Sequence, residues 1–231
     1  MKKRPFTLIN TAITADGKIA PATRKFETFS TQYDQDLLYT LRAGADAVIC
    51  GARTIDLMPV KLGTGGDKYR RIRVRRGLSE YPLRIVVSGA GTLDPKSEIF
   101  KHHFSPIVIL TTGRISRKRL NTLRAQADEV IIFGERELDF RAAWRWLYEK
   151  WKVRRLVCEG GGELNSALLR AGVVDEVYLT ICPVIFGGRG APTLADGTDP
   201  TALSDAIPLK LKSMKRVGDE MYFILKPQNA I

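Results

Sequence analysis

The glycine-rich turn at residues 158–164 combines residue types and spacing that could bind a phosphate. It reads Cys-Glu-Gly-Gly-Gly-Glu-Leu and joins a short apolar run to a segment with helical spacing. Glycines at such a junction let backbone N–H groups approach an anion, and the N-terminus of the helix adds partial positive charge. The turn therefore suits a dinucleotide pyrophosphate, although it matches neither the Gly-x-Gly-x-x-Gly fingerprint nor a P-loop. A tight turn without a ligand explains the glycines equally well.

Other turns are less informative on their own. Residues 50–54 read Cys-Gly-Ala-Arg-Thr, and the Thr54 hydroxyl could bond a phosphate, but an N-cap of a short helix is the simpler interpretation. Asp16 and Gly17 follow a strand-like run and indicate a turn, with nothing that makes Asp16 catalytic. Glu159, at the carboxyl end of a predicted strand, would face the crevice in which open α/β sheets bind ligands.

Apolar runs typical of strands alternate with segments that have helical spacing. The strand-like runs cover residues 5–14, 47–50, 83–88, 106–111, 130–133, 156–158 and 177–181. The helical segments cover residues 34–43, a stretch capped by Ser116, a stretch that begins at Asp139, and one through Leu164 that ends at Gly172. The last 25 residues favour a hairpin around Gly218. This order predicts an α/β fold with a largely parallel sheet covered on both faces and a terminal antiparallel hairpin.

The chain carries 37 Lys and Arg against 25 Asp and Glu, a formal net charge of +12. Such a field favours anionic partners: nucleic acid, acidic lipid or phosphorylated small molecules. Residues 68–76 are mostly basic, which is the main observation in favour of a nucleic-acid-binding protein. A run of charge is more often a solvated loop, and no nucleic-acid motif accompanies it. We expect one domain over residues 1–231, with residues 59–80 as a long, exposed, basic excursion.

The cysteines, histidines, apolar runs and aromatic residues of the chain indicate structural roles and not a metal site or a membrane span. The three cysteines lie far apart in apolar runs, which predicts reduced, buried thiols and a cytoplasmic protein. Cys158 is expected to be a buried small side chain and not a nucleophile. No cysteine or histidine spacing fits a metal site. The sequence contains no uninterrupted run of about 18 apolar residues, so no membrane span is expected. Trp144, Tyr148 and Trp151 recur at helical spacing, which indicates packing.

Taken together, the motifs resemble the pyrimidine reductases of riboflavin biosynthesis, a family that includes the C-terminal reductase domain of RibD. The pieces that carry the resemblance are Thr-x-Asp-Gly-Lys-x-Ala at 14–20, Gly-x-x-Thr at 51–54, Glu-Gly-Gly-Gly-x-Leu at 159–164, Val-Asp-Glu-Val at 174–177 and Pro-x-Ile-Phe-Gly-Gly at 183–188. They occur in the family's order from about Pro5 to Lys226. Their number and order make the resemblance specific for the superfamily.

The resemblance implies a dihydrofolate-reductase-like fold: a three-layer α/β sandwich with a mostly parallel, mixed sheet. It also implies a homodimer and NADPH as hydride donor. The implied substrate is a diaminopyrimidinone that carries a ribosylamino 5′-phosphate, whose sugar is reduced to ribitylamino at the carbon bonded to nitrogen. The task of the protein would be to align the nicotinamide with that electrophilic carbon.

By matching position, the resemblance also implies two sets of ligand contacts. The cofactor would be bound by Gly51, Thr54, Val87, Ser88, Gly160, Gly161, Gly162 and Glu163, with Val87 and Ser88 beside its adenosine half. The substrate pocket would be lined by Asn10, Ser30 and Glu159. The substrate phosphate requires a cation, for which the candidates are Arg24, Lys25, Arg53 and Lys61.

One segment departs from the family pattern. After Gly-x-x-Thr the family usually continues with Asp-Asp-Pro or Asp-Asn-Pro, and the first acid sits beside the nicotinamide. Residues 55–59 of this chain read Ile-Asp-Leu-Met-Pro. Asp56 is therefore the candidate catalytic residue, supplying the carboxylate from a different register. Ser88 also stands where the family often has Asp. A sister reductase with the same cofactor and another substrate is the main alternative.

Overall fold

The computed structural model describes residues 3–24, 28–197 and 201–228. The chain divides into two compact units: the first comprises residues 1–5 and 39–157, and the second comprises residues 6–38 and 158–231. The expectation of one domain over the whole chain remains a prediction.

Strands and helices alternate through most of the described residues. The strands are β1 (Phe6–Thr14), β2 (Ala47–Gly51), β3 (Leu83–Val87), β4 (Ile107–Thr111), β5 (Glu129–Ile132), β6 (Arg155–Cys158), β7 (Glu176–Cys182), β8 (Leu209–Val217) and β9 (Glu220–Pro227). The α-helices are α1 (Gln32–Ala43), α2 (Ala52–Leu57), α3 (Asp67–Arg75), α4 (Arg117–Arg124), α5 (Phe140–Lys150) and α6 (Gly162–Arg170). The α/β class predicted from the sequence is confirmed.

The sheet of the first unit has the strand order β5-β4-β3-β2-β6. Strand β3 pairs in parallel with β2 and with β4, and β4 pairs in parallel with β5. The central strands are buried almost throughout, which is why their sequences are mostly apolar and do not alternate between apolar and polar residues. Parallel pairing brings the carboxyl ends of neighbouring strands together, so Gly51 at the end of β2 lies opposite Val87 at the end of β3.

Two helices of the first unit begin where their capping residues predict. The Ser116 hydroxyl accepts a hydrogen bond from the Arg119 amide at 3.3 Å, and the Asp139 carboxylate accepts one from the Ala142 amide at 3.0 Å. Each bond satisfies an amide that the first turn of a helix leaves without a partner. Trp144, on the apolar face of α5, is fully buried, which confirms a packing role for that residue.

Residues 59–80 differ from the expected exposed excursion because they contain helix α3, in which Tyr69 and Arg73 are buried. The Arg73 guanidinium donates to the carbonyl oxygens of Arg42 at 2.6 Å, Ala45 at 2.5 Å and Ser79 at 2.8 Å. Burial lowers the Arg73 pKa to about 10, partly opposed by the charge of Asp46. One cation of the basic run thus caps the carboxyl end of α1, which weakens the interpretation of the run as a surface for nucleic acid.

The sheet of the second unit has the strand order β1-β7-β9-β8. Strands β1 and β7 are parallel, whereas β9 is antiparallel to both β7 and β8. Strands β8 and β9 form the predicted hairpin, in which Gly218 adopts a φ of +59°. The pairing register shifts between Leu211 and Ser213, which places Leu211 and Met214 on the same face of the sheet.

Among the described residues, no helix combines the length and the apolar character that crossing a membrane requires. The same residues contain no group of three His, Cys, Asp or Glu side chains that could hold a metal ion. All three cysteines are buried and free.

Candidate functional site

The glycine turn after β6 belongs to the second unit and leads directly into helix α6. Gly160 has a φ of +84°, a conformation that other residues rarely adopt, and its peptide bond to Gly161 is cis. Gly161 is the N-cap of α6, and Glu163 lies in the first turn. A glycine N-cap offers no side chain to the first amides of the helix, which is the arrangement that an anion-binding helix N-terminus requires.

Gly162 is required by packing, a reason that sequence reasoning did not supply. A Cβ atom at this position would lie 2.4 Å from the Thr193 carbonyl oxygen and 2.7 Å from a carboxylate oxygen of Asp196. The Asp196 amide also donates to the Gly162 carbonyl at 3.1 Å. The loop at 193–196 therefore packs directly against the first residue of α6, and only a glycine at position 162 permits such a close contact.

Asn165 fastens the same loop from inside α6 and was missed by sequence reasoning. Its side-chain amide donates to the Leu194 carbonyl at 2.9 Å, and its carbonyl oxygen lies 3.5 Å from the Cys158 sulfur. Asn165 is fully buried; a polar residue between Leu164 and Leu168 on a buried helix face was the available signal. Burial raises the pKa of Cys158 to about 12, so its thiol remains protonated and unreactive, as expected.

Two motifs that are far apart in sequence form one assembly in the second unit. The Asp16 carboxylate accepts hydrogen bonds from the Thr14 hydroxyl at 2.6 Å, the Phe186 amide at 3.2 Å and the Gly187 amide at 2.8 Å. The hydrogen bond from Thr14 is the largest cause that lowers the Asp16 pKa. Asp16 therefore joins the turn after β1 to the Gly187-Gly188 loop, and the interpretation of Asp16 as a structural residue is supported.

The predicted substrate residues all belong to the second unit. Asn10 is a half-buried residue of β1, directly opposite Tyr178 of β7. Ser30 lies two residues before α1, and its hydroxyl donates to the Asp34 carboxylate. Glu159 is half-buried immediately after β6. Asp34 was not among the residues singled out from the sequence.

The remaining predicted cofactor residues lie in the first unit, at the carboxyl ends of β2 and β3. Gly51 is the N-cap of α2, so Thr54 lies inside that helix and is not its N-cap, contrary to the simpler sequence interpretation. Ser88 follows β3 and is buried; its hydroxyl accepts from the Leu93 amide at 3.3 Å. Gly51 and Val87 face each other across the β2–β3 ladder. The structure thus brings Gly51, Val87 and Ser88 to one edge of the sheet.

Asp56, the candidate catalytic residue, has a structural contact in the first unit. Its Oδ1 atom accepts hydrogen bonds from the Asp94 amide at 3.0 Å and the Ser97 hydroxyl at 2.5 Å. The side chain therefore fastens the segment 94–97 to helix α2. Its role in catalysis remains a prediction.

Two arginines that were not singled out from the sequence lie against the loop that follows Ser88. The Arg119 guanidinium donates to the Ala90 carbonyl at 3.4 Å. A terminal nitrogen of Arg114 lies 2.9 Å from the position that a Cβ atom on Gly89 would occupy. This edge of the sheet thus carries two guanidinium groups beside the residues predicted to contact the adenosine half of the cofactor.

The model of the RibD C-terminal domain family matches residues 5–223 of the chain. Among similar proteins, the 2,5-diamino-6-ribosylamino-4(3H)-pyrimidinone 5′-phosphate reductase of Methanothermobacter thermautotrophicus is 34% identical over 218 residues, which cover 94% of this chain and 96% of that protein. The protein of the same name from Archaeoglobus fulgidus is 30% identical over 216 residues, covering 94% and 95% of the two chains.

Solved structures show the same fold. A pyrimidine reductase-like protein from Corynebacterium diphtheriae superposes with a TM-score of 0.79 at 22% identity, covering 97% of this chain and 92% of the other. The riboflavin biosynthesis reductase Rib7 of Saccharomyces cerevisiae gives 0.71 at 15% identity, covering 99% and 92%. RibD of Acinetobacter baumannii gives 0.75 at 18% identity; 98% of this chain covers 58% of that longer protein.

Proposed function

We propose that this chain, which belongs to the RibD C-terminal domain family, reduces the ribosylamino group of a 5′-phosphorylated diaminopyrimidinone to ribitylamino in riboflavin biosynthesis, with NADPH as the reductant. The observation that carries the proposal is the 34% identity to the pyrimidinone phosphate reductase of M. thermautotrophicus across 96% of that protein. A positive net charge of +12 fits the task, because both the cofactor and the substrate are anions.

The reaction asks the chain mainly to bind and orient. Converting ribosylamino to ribitylamino breaks the ring C–O bond, adds a hydride to that carbon and adds a proton to the released oxygen. NADPH, when bound, supplies the hydride. The chain would hold the pyrophosphate at the Gly161 N-cap of α6, where the helix amides and dipole favour an anion. The family resemblance assigns the adenosine half to Gly51, Val87 and Ser88, which lie at one edge of the sheet of the first unit.

The preference for NADPH over NADH is supported by the charges at that edge. Arg114 and Arg119 lie against the loop after Ser88, and a guanidinium group is well suited to bind the 2′-phosphate that distinguishes the two cofactors. Ser88 is uncharged, so this position brings no negative charge to repel a phosphate.

The candidate cations for the substrate phosphate differ in their exposure. Arg24 is half-buried in a turn with a φ of +56°, and Lys61 and Arg53 are exposed. Lys25 lies outside the described residues. A cytoplasmic location is part of the same proposal, supported by three free, buried thiols, which are typical of proteins in reducing compartments.

A homodimer is supported by one face of the sheet in the second unit. The strand registers place an apolar row on this face, from β1 to β8: Ile13, Leu179, Ile181, Phe223, Leu225, Leu211 and Met214. Leu211 is 53% exposed and Met214 is 56% exposed, values that a second copy of the chain would lower. We expect sedimentation to give a dimer and a Met214→Lys variant to shift it toward monomer, with Lys210→Glu on the other face as the control. A dimer of unchanged stability in the Met214 variant would contradict this interface.

The experiment that tests the activity is the loss of absorbance of NADPH in the presence and absence of the ribosylamino-pyrimidinone phosphate. We expect oxidation that depends on the pyrimidine and yields the ribitylamino product. Binding of NADPH without oxidation would refute the proposed substrate and favour a sister reductase, the alternative that the unusual segment around Asp56 keeps open. Tight, salt-sensitive binding to arbitrary duplex DNA without NADPH binding would refute both.

A further inference from the structure

A group of buried polar side chains lies on the face of the second-unit sheet that also carries Asn10. One member, Glu220, is 2% exposed and begins strand β9. The Glu220 carboxylate accepts hydrogen bonds from the Thr31 amide at 2.7 Å and the Thr31 hydroxyl at 2.6 Å, and from the Tyr222 hydroxyl. Burial alone would raise the Glu220 pKa, but these hydrogen bonds outweigh it and hold the pKa below its ordinary value. Glu220 thus fixes the backbone immediately after Ser30.

Asp34 is a second buried carboxylate in the same group. It lies in the first turn of α1, is 8% exposed, and accepts hydrogen bonds from the Thr180 hydroxyl at 2.6 Å and from the Ser30 hydroxyl. Burial raises the pKa of Asp34, and the neighbouring charge of Glu220 adds to that effect. Burying two carboxylates near each other is costly, and an alanine or asparagine would be cheaper for packing alone. The position therefore calls for a reason other than stability.

The strand registers place this group close to the predicted substrate residue Asn10. Asn10 lies opposite Tyr178 in the β1–β7 ladder, and Thr180 is two residues further along β7 on the same face. Two residues of a strand span about 7 Å, roughly the size of a sugar ring. Ser30, held through Asp34 on Thr180, is thus on the same side of the sheet as Asn10 and within reach of one small ligand.

We infer that Asp34 fixes the Ser30 hydroxyl as a hydrogen-bond acceptor, so that Ser30 selects a hydroxyl or amino group of the substrate. An ionised carboxylate can only accept hydrogen bonds, so the single proton of the Ser30 hydroxyl is directed toward Asp34. The oxygen of Ser30 then presents only lone pairs to a ligand. Asp34 is a positioning residue in this account. The inference rests on the proposed function, because the substrate role of Ser30 comes from the family resemblance.

The test is an Asp34→Asn substitution, which keeps the shape of the side chain and reverses the direction of its hydrogen bond with Ser30. The side-chain oxygen of asparagine still accepts from Thr180, and its NH₂ group then faces Ser30 and must donate to it. The Ser30 hydroxyl would then turn its proton toward the ligand. We expect the KM for the pyrimidine substrate to rise about tenfold to a hundredfold, the effect of one mismatched buried polar contact. The affinity for NADPH and the melting temperature should not fall.

Three comparisons separate positioning from a general loss of structure. A Ser30→Ala variant should show a similar rise in KM, and the double variant should show no additional rise, because both substitutions remove one interaction. Asp205→Asn, which removes an exposed carboxylate from the same unit, is the matched control and should behave as wild type. The third comparison uses substrate analogues in which one hydroxyl at a time is replaced by a methoxy group, which can only accept a hydrogen bond. The analogue modified at the hydroxyl that contacts Ser30 should show the smallest rise in KM between wild type and Asp34→Asn.

The possible failures are distinguishable. If the wild-type protein does not oxidise NADPH with the pyrimidine, the proposed function fails and the inference falls with it. If the wild type is active and Asp34→Asn leaves KM unchanged, only the inference is refuted. Rises in KM that multiply in the double variant would also refute it, since Asp34 would then act independently of Ser30.

Discussion

Substitution of Gly162 by alanine tests the account of the glycine turn most directly. The new Cβ atom would lie 2.4 Å from the Thr193 carbonyl oxygen and 2.7 Å from an Asp196 carboxylate oxygen. A normal carbon–oxygen contact is near 3.3 Å, so the Thr193 backbone would have to move by almost 1 Å. That movement would strain the hydrogen bonds of Asp196 to Gly162 and of Asn165 to Leu194, which are 3.1 Å and 2.9 Å long.

The cost can be worked from these contacts. Forced overpacking costs about 1–3 kcal/mol, and a weakened hydrogen bond adds about 1 kcal/mol. The better helix propensity of alanine offsets at most about 1 kcal/mol at the first position of α6. We therefore expect a net loss of about 2 kcal/mol, which lowers the melting temperature of a chain this long by about 4–8 °C.

Thermal and urea unfolding without cofactor would measure this loss. The matched control is Gly190→Ala, in the loop that leads to residue 193: Gly190 has no neighbour within 4 Å of an added Cβ and no positive φ. Its variant should be as stable as wild type, or slightly more stable. If Gly162→Ala were as stable as Gly190→Ala, the packing account of Gly162 would be wrong, and the glycine would have to be explained by ligand approach alone.

Three further predictions concern charge. Arg114→Gln and Arg119→Gln should each raise the KM for NADPH about tenfold with little effect on the KM for NADH, since a lost charge-assisted bond to a phosphate is worth about 1.5–3 kcal/mol. Arg117→Gln, on the same helix as Arg119, is the control. Equal effects on both cofactors would exclude a 2′-phosphate contact. Asp56→Asn keeps an oxygen for Asp94 and Ser97, so it should leave the melting temperature unchanged while slowing turnover more than it weakens NADPH binding; unchanged turnover would show that Asp56 is not the missing acid. Because the Asp34 pKa is raised on folding, the native state binds a proton more readily than the unfolded state, and this group adds stability as the pH falls from neutral toward 4. Urea unfolding across that pH range should show that the free energy of unfolding of the wild type gains this contribution and that of Asp34→Asn does not. If the free energies of both proteins changed equally with pH, the raised pKa of Asp34 would be contradicted.

Much of the local structure could be predicted from the sequence. The caps at Ser116 and Asp139, the apolar runs that became β3 and β4, and the hairpin around Gly218 all depend on neighbouring residues. Periodicity and capping chemistry act over a few residues, so a single sequence contains the information. The glycine turn before α6 could be located in the same way, together with its family resemblance.

What the glycines, charges and carboxylates do was decided only by the tertiary structure. Residues 68–76 look like a solvated basic run, yet Arg73 is buried because the end of α1 needs donors for its carbonyl groups. Asp56 looks like a catalytic acid, and folding gives it the amide of Asp94. Glu220 contacts Thr31 across 189 residues of sequence. Local sequence preferences cannot predict such a pair, because the contact exists only after segments distant in sequence have been brought side by side and shielded from water.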